Sequence, residues 1–136
     1  AEDLPDAIQK TNEYIDEHLA VAQRLGKPVV LEEFGFPRDG FVFAKGTPVT
    51  LRDRYYANIF SRLEASAKEG GLLEGVNFWT WGGLAGQSAE NVYWQTGDDY
   101  CGDPAQEQQG LNSVYLSDTS TVALIRETCA DLRNSR

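Results

Sequence analysis

The chain is 136 residues long and carries 21 Asp and Glu against 12 Lys and Arg, a formal charge of −9. That balance, with a pI near 4.5, excludes a protein that grips nucleic acid or anionic lipid by neutralising phosphate. Hydrophobic residues at 41% and aromatics at 11% exclude a disordered acidic tail, and no apolar run approaches the ~20 residues that span a bilayer.

The first ten residues, AEDLPDAIQK, hold neither a basic nor an apolar leader, and the chain contains no Met. It therefore reads as the interior of a longer protein. Residues 4–25 predict an amphipathic helix. Ile8, Ile15, Leu19, Ala22 and Leu25 recur at helical spacing, Asp3 is placed to cap it, Pro5 suits the first turn and Gly26 stops it. Val29, Val30 and Leu31 lead into Glu32-Glu33-Phe34-Gly35, a short apolar run that predicts a parallel strand buried on both faces. Residues 36–49, with two Pro and two Gly, predict a loop.

Thr50 with Asp53 three residues on resembles a capping box. The helix it opens carries Tyr56, Ile59, Phe60, Leu63 and Ala67 on one stripe and ends at Gly70-Gly71. Residues 75–81, GVNFWTW, predict a second strand. Residues 82–117 predict an irregular stretch far longer than an ordinary connection. Asp118 opens a last helix with Val122, Ile125, Cys129 and Leu132 inward.

The order helix, strand, helix, strand, helix predicts an α/β fold with parallel strands and right-handed crossovers. Two such strands do not make a stable sheet by themselves. The whole chain, residues 1–136, therefore reads as one partial domain: the C-terminal part of a (β/α)₈ TIM barrel, which needs ~250 residues when complete.

In parallel α/β folds the chemistry sits at the C-terminal ends of the strands. Here those ends are Glu32-Glu33-Phe34-Gly35 and Trp79-Thr80-Trp81. Strand alternation sends one glutamate inward and the other toward the helices. The inward one is either half of a structural ion pair or a reacting group. All three tryptophans fall within positions 79–94. Trp79, Trp81, Trp94 and, in the loop after the first strand, Phe36 are the candidates to hold a sugar ring, whose C–H faces suit flat apolar surfaces. Tyr93 and Tyr100 read as packing for the long loop. A carboxylate beside an aromatic platform, with no histidine near, points to glycoside hydrolysis, in which two carboxyls flank the scissile bond.

KPVVLEEFG followed by GVNFWTWGG resembles strands seven and eight of glycoside hydrolase family 5. The tail GDPAQEQQGLNSVYLSDTSTVALIRE resembles the end of bacterial endo-β-1,4-mannanases of that family. The resemblance implies a retaining, endo-acting enzyme on β-1,4-mannan, usually exported, with no cofactor and no metal. It implies that Glu33, directly before the aromatic-Gly pair, is the nucleophile and Glu32 a structural neighbour. Trp79 matches the tryptophan that floors the reacting sugar, and Trp81 competes for that role. The family's acid/base comes from an Asn-Glu pair on an earlier strand. The Asn12-Glu13 pair here lies in a helix, so the role does not transfer, and His18 is expected to be exposed. The chain then works only with the upstream part of the barrel, as a second chain or an uncut precursor, and by itself is inactive or self-associating. A β-glucanase of the same family and a non-catalytic carbohydrate-binding module are the competing readings.

The remaining features predict little chemistry. Cys101 in the upper loop and Cys129 well down a helix are not expected to meet, and Cys129 reads as a small buried hydrophobe. Asp98, Asp99 and Asp103 read as a solvated acidic loop. Ser88, Ser113 and Ser117 lack a nucleophile elbow, and no nucleotide-binding glycine motif is present.

Overall fold

The structure is a computed structural model that describes residues 3–87 and 92–134. Ser88 lies outside the described residues, as does the position before Asp3. The elements are α1 (Asp3–Leu25), β1 (Val29–Phe34), a 3-10 turn (Asp39–Phe41), α2 (Thr50–Glu69), β2 (Leu73–Phe78), β3 (Trp81–Gly83), β4 (Val114–Tyr115) and α3 (Thr119–Asn134). No described helix is long and apolar enough to cross a membrane.

β1 and β2 pair in parallel, and so do β3 and β4, as two separate two-stranded sheets. The helices lie on one face of the β1–β2 pair. Leu4 of α1, Phe34 of β1, Tyr55, Tyr56, Ile59 and Phe60 of α2 and Val114 of β4 form the main core. A second cluster joins Ile15 of α1, Leu63 of α2 and Leu73 of β2. The opposite face of the sheet is open: Val30 is 50% exposed, so the expectation of two buried faces fails among the described residues.

The helices follow their apolar stripes, with differences at the ends. Asp3 is the first helical residue of α1 and not its cap. Leu25, read as part of the inner stripe, is 67% exposed. Gly70, at φ 66°, closes α2 in the left-handed conformation that a Cβ disfavours. α2 does start at Thr50, but no side chain at its cap position bonds back to the helix. The Asp39 carboxylate does this from outside, accepting from the N–H groups of Thr50 (3.1 Å) and Leu51 (2.9 Å). Asp53, expected to complete a capping box, instead accepts from the hydroxyls of Ser120 (2.6 Å) and Thr121 and so ties α2 to α3.

On α3 the most buried positions are Thr121 and Thr128, with Val122, Leu124 and Ile125 partly buried against the core. Leu132 packs on the second cluster, so Val122, Ile125 and Leu132 face inward as expected, and of the four expected positions only Cys129 does not. Cys129 is exposed, which corrects its reading as a buried hydrophobe, and it does not pair with Cys101, which is buried and free.

β1 does not alternate simply. Leu31 pairs with Val76 and Phe34 with Phe78, three steps on β1 against two on β2, so the strand bulges between them. The bulge turns Phe34 to the helix side that Leu31 already occupies. Its ring lies 4.9 Å from Tyr56 and 5.9 Å from Phe60, edge-on to both. Neither glutamate is then directed into the helix layer, and Glu32 and Glu33 are both exposed. The predicted second strand is also broken. β2 ends at Phe78, Trp79 and Thr80 are joined by a cis peptide, and the chain resumes as β3.

The long stretch after β3 is anchored by buried charge. Arg38 and Arg52, both fully buried, converge on the Asp118 carboxylate. Arg38 donates from Nη1 to Asp118 Oδ1 at 3.0 Å, and Arg52 Nη1 stands 3.7 Å from Oδ2. Asp118 also accepts from the Tyr115 N–H at 2.9 Å. Asp103 is fully buried, which corrects its reading as solvated loop: Oδ2 accepts from the Gly110 N–H and the Ser113 hydroxyl, each at 2.9 Å. Burial raises the Tyr115 hydroxyl above its ordinary range and lowers the Arg52 guanidinium.

Candidate active site

The C-terminal ends of β1 and β2 are stitched directly together. The Trp79 N–H donates to the Phe34 carbonyl at 2.7 Å, which carries the β1–β2 pairing one residue past β2. The same bond fixes Trp79 next to Glu33. Between the two strand ends lies a cleft of about 220 Å³ lined by Glu33, Phe34, Gly35, Trp79 and Asn112. Glu33 is the one carboxylate among these described lining residues, and Glu32 is not part of the lining.

Gly35 is needed for this approach. A Cβ there would stand 2.8 Å from the Trp79 carbonyl oxygen and 3.0 Å from Asn112 Oδ1, inside normal contact distance. Tyr56 of α2 is fully buried, and its hydroxyl donates to the Trp79 carbonyl at 3.5 Å. Burial holds that hydroxyl protonated well above its ordinary range.

The candidate residues fall in different places. Glu33 and Trp79 come together, as just described. Trp81 is 49% exposed on β3, two residues beyond the cleft, with its ring edge-on to Phe78 at 6.5 Å. Phe36 turns back into the molecule, its ring 4.9 Å from Tyr55 and packed on the main core. Trp94 lies farther along the loop, half-buried, where its indole N–H donates to the Asp98 carbonyl at 3.1 Å. His18 is exposed, with Nδ1 at 2.7 Å from the Tyr14 carbonyl. Asn12 belongs to the α1–α2 contact, where its amide and that of Asn58 bond reciprocally at 2.9 and 3.3 Å.

Sequence reasoning missed Asn112, Arg52 and Arg38. Arg52 donates from Nε to the Phe36 carbonyl at 2.7 Å and from Nη1 to the Ser113 carbonyl at 2.7 Å. One guanidinium thus binds the segment after β1 to the segment that carries Asn112. The signal available was an arginine one turn before Tyr56 on the apolar side of α2, a position a solvated charge does not take. Among the described residues no cluster of His, Cys, Asp and Glu is arranged to hold a metal ion.

The chain resembles known proteins over almost its whole length. The family described as GH family 5 beta-mannosidase-like matches residues 1–136. The glycoside hydrolase family 5 mannosidase of Rhizomucor miehei superimposes with a TM-score of 0.84 at 30% identity, over 97% of this chain and 33% of that one. A mutant of that enzyme in complex with mannosyl-fructose gives the same TM-score at 28% identity and the same coverage. A mannan endo-1,4-beta-mannosidase of Arabidopsis thaliana is 33% identical over 84 residues, which is 56% of this chain and 18% of that protein. The chain thus spans about a third of the length of the solved relatives and less of the plant one. Its α/β fold, with parallel two-stranded sheets under three helices, is a portion of a (β/α)₈ barrel. The chain belongs to glycoside hydrolase family 5, among its β-mannosidase-like members.

Proposed function

We propose that the chain supplies the nucleophile side of a retaining, endo-acting hydrolase of β-1,4-mannan. The single observation that carries this is the cleft at the adjoining strand ends that Glu33 and Trp79 line together. The name of the Arabidopsis relative supports mannan as the polymer.

In the proposed reaction the sugar ring to be cleaved rests on Trp79. A Glu33 oxygen attacks the anomeric carbon, the bond to the leaving oxygen breaks, and a carboxylic acid elsewhere in the barrel gives that oxygen its proton. Water, deprotonated by the same group, then displaces Glu33 and releases the sugar with its configuration retained. The two carboxyls must stand about 5–5.5 Å apart. The cleft lining holds only Glu33 among the described residues, so the second carboxyl comes from the remainder of the barrel. The chain by itself is therefore inactive, and its partner is that remainder, in the same polypeptide or as a second one.

The test is reducing-sugar release from β-mannan by the chain, by the remainder of the barrel, and by the two combined. Activity is expected only in combination and is expected to vanish with Glu33→Gln. A 2-deoxy-2-fluoromannosyl fluoride should leave one sugar on the peptide carrying Glu33. Turnover that survives Glu33→Gln would remove the nucleophile assignment, and binding without labelling or turnover would make the cleft a carbohydrate-binding surface.

A further inference from the structure

We infer that Asn112 is a sugar-contacting residue of this cleft, its side-chain amide hydrogen-bonding a hydroxyl of the ring that rests on Trp79. The inference deepens the function proposed above and rests on it. Asn112 lies 77 positions beyond Gly35 in the numbering, yet its side chain lines the same cleft as Glu33 and Trp79.

Its placement is rigid for reasons unrelated to its side chain. The Asn112 carbonyl accepts from the Thr80 N–H at 3.2 Å, which fixes it beside Trp79. The carbonyls on either side of it, Leu111 and Ser113, accept from the two terminal nitrogens of Arg52 at 3.5 and 2.7 Å. The Ser113 hydroxyl is bonded to the Cys101 carbonyl at 2.7 Å and to Asp103. Gly35, with no side chain, leaves the space in which Asn112 Oδ1 lies over the end of β1.

These bonds hold the main chain and leave the amide to the cleft. An amide offers an acceptor and two donors, and a sugar hydroxyl is both donor and acceptor, so one amide can engage a hydroxyl in either sense. A residue held this firmly costs little further ordering when substrate binds. Glu33 supplies a charged acceptor and Trp79 an apolar face with a single indole donor, and neither is a neutral group that both donates and accepts. Asn112 is such a group.

The experiment uses the assembled barrel with Asn112→Ala and a set of aryl β-mannosides, the parent and analogues that each lack one hydroxyl on the reacting ring. On the parent, kcat/KM is expected to fall about tenfold, the worth of one good hydrogen bond. On one analogue the same variant should lose nothing, because substitution and missing hydroxyl remove the same bond. The acid limb of the pH profile should stay in place. A shift of that limb to higher pH would mean that the amide served Glu33 by stabilising its charged form, and would overturn the inference. Unchanged activity, or an equal loss on every analogue, would also overturn it. If the alanine variant fails to fold, Asn112→Ser carries the same comparison with a shorter polar group. Failure of the nucleophile reading shows separately, as activity that persists in Glu33→Gln.

Discussion

Asp118 holds two buried guanidiniums, those of Arg38 and Arg52. Both arginines are fully buried, and each also spends donors on carbonyls: Arg38 on Thr47, Arg52 on Phe36 and Ser113. The charge is thus compensated by one carboxylate and the remaining N–H groups largely by main chain. Replacing such a group with a hydrophobe of equal size can be neutral, but removing one partner leaves charge stranded in the interior. Asp118→Asn keeps the size and removes the countercharge from both arginines. It should cost about 3–5 kcal/mol, read as a lower midpoint in denaturant unfolding at fixed protein concentration. A loss within about 0.5 kcal/mol, the range of an ordinary surface substitution, would mean that the main-chain carbonyls alone compensate the two guanidiniums. The cluster was illegible in the sequence. Arg38 and Arg52 lie 80 and 66 positions before Asp118, and residue type by itself places Arg and Asp on the surface.

The same division between local and distant causes runs through the elements. The helices α1 and α2 and their glycine stops follow from spacings of three and four residues and from a residue that tolerates positive φ, all local properties. The start of α2 is local in position but not in cause. Thr50 looks like a cap and Asp53 like its partner, yet the orphan N–H groups are taken by Asp39, eleven and twelve positions upstream. The loop is bent to allow this by its 3-10 turn and by the bond from the Asp39 N–H to the Pro48 carbonyl at 3.1 Å. Asp39→Ala should then destabilise by about 1–2 kcal/mol, the worth of a helix cap, while Thr50→Ala should change little. Equal effects of the two substitutions would return the cap to Thr50. The bulge in β1 is the other distant effect. The pattern VVLEEF reads as simple alternation, but Phe34 is drawn to Tyr56 and Phe60 on α2, and the strand takes an extra residue to turn it there. Both glutamates were legible as candidates at the strand end. What removed Glu32 from the cleft and left Glu33 in it was a packing demand from another helix.

At the scale of the molecule, the decisive feature is what the sheet leaves unpaired. A closed barrel has no sheet edge, whereas β1 pairs with β2 alone among the described residues. Its other side borders a groove of about 760 Å³ between α1 and β1, lined by Tyr14, Ile15, Val30, Leu31 and Tyr55 among others. Tyr14 is 53% exposed there and Val30 half exposed on the open sheet face. An unpaired parallel strand beside apolar surface is a template for another chain. The groove would fit the preceding strand and helix of a complete barrel, which the solved relatives possess in the two thirds of their length that this chain does not span. In the absence of that remainder, the chain should pair with itself. Sedimentation of the isolated chain is therefore expected to show dimers or larger species. Val30→Lys should shift these toward monomer, since it sets a charge on the open face and like charges would meet across any symmetric contact. Adding the remainder of the barrel should dissolve the self-association into a one-to-one complex. A stable monomer of 15.1 kDa at every concentration would show that the edge and groove are protected within the chain, and the argument for a missing partner would then rest on the active site alone.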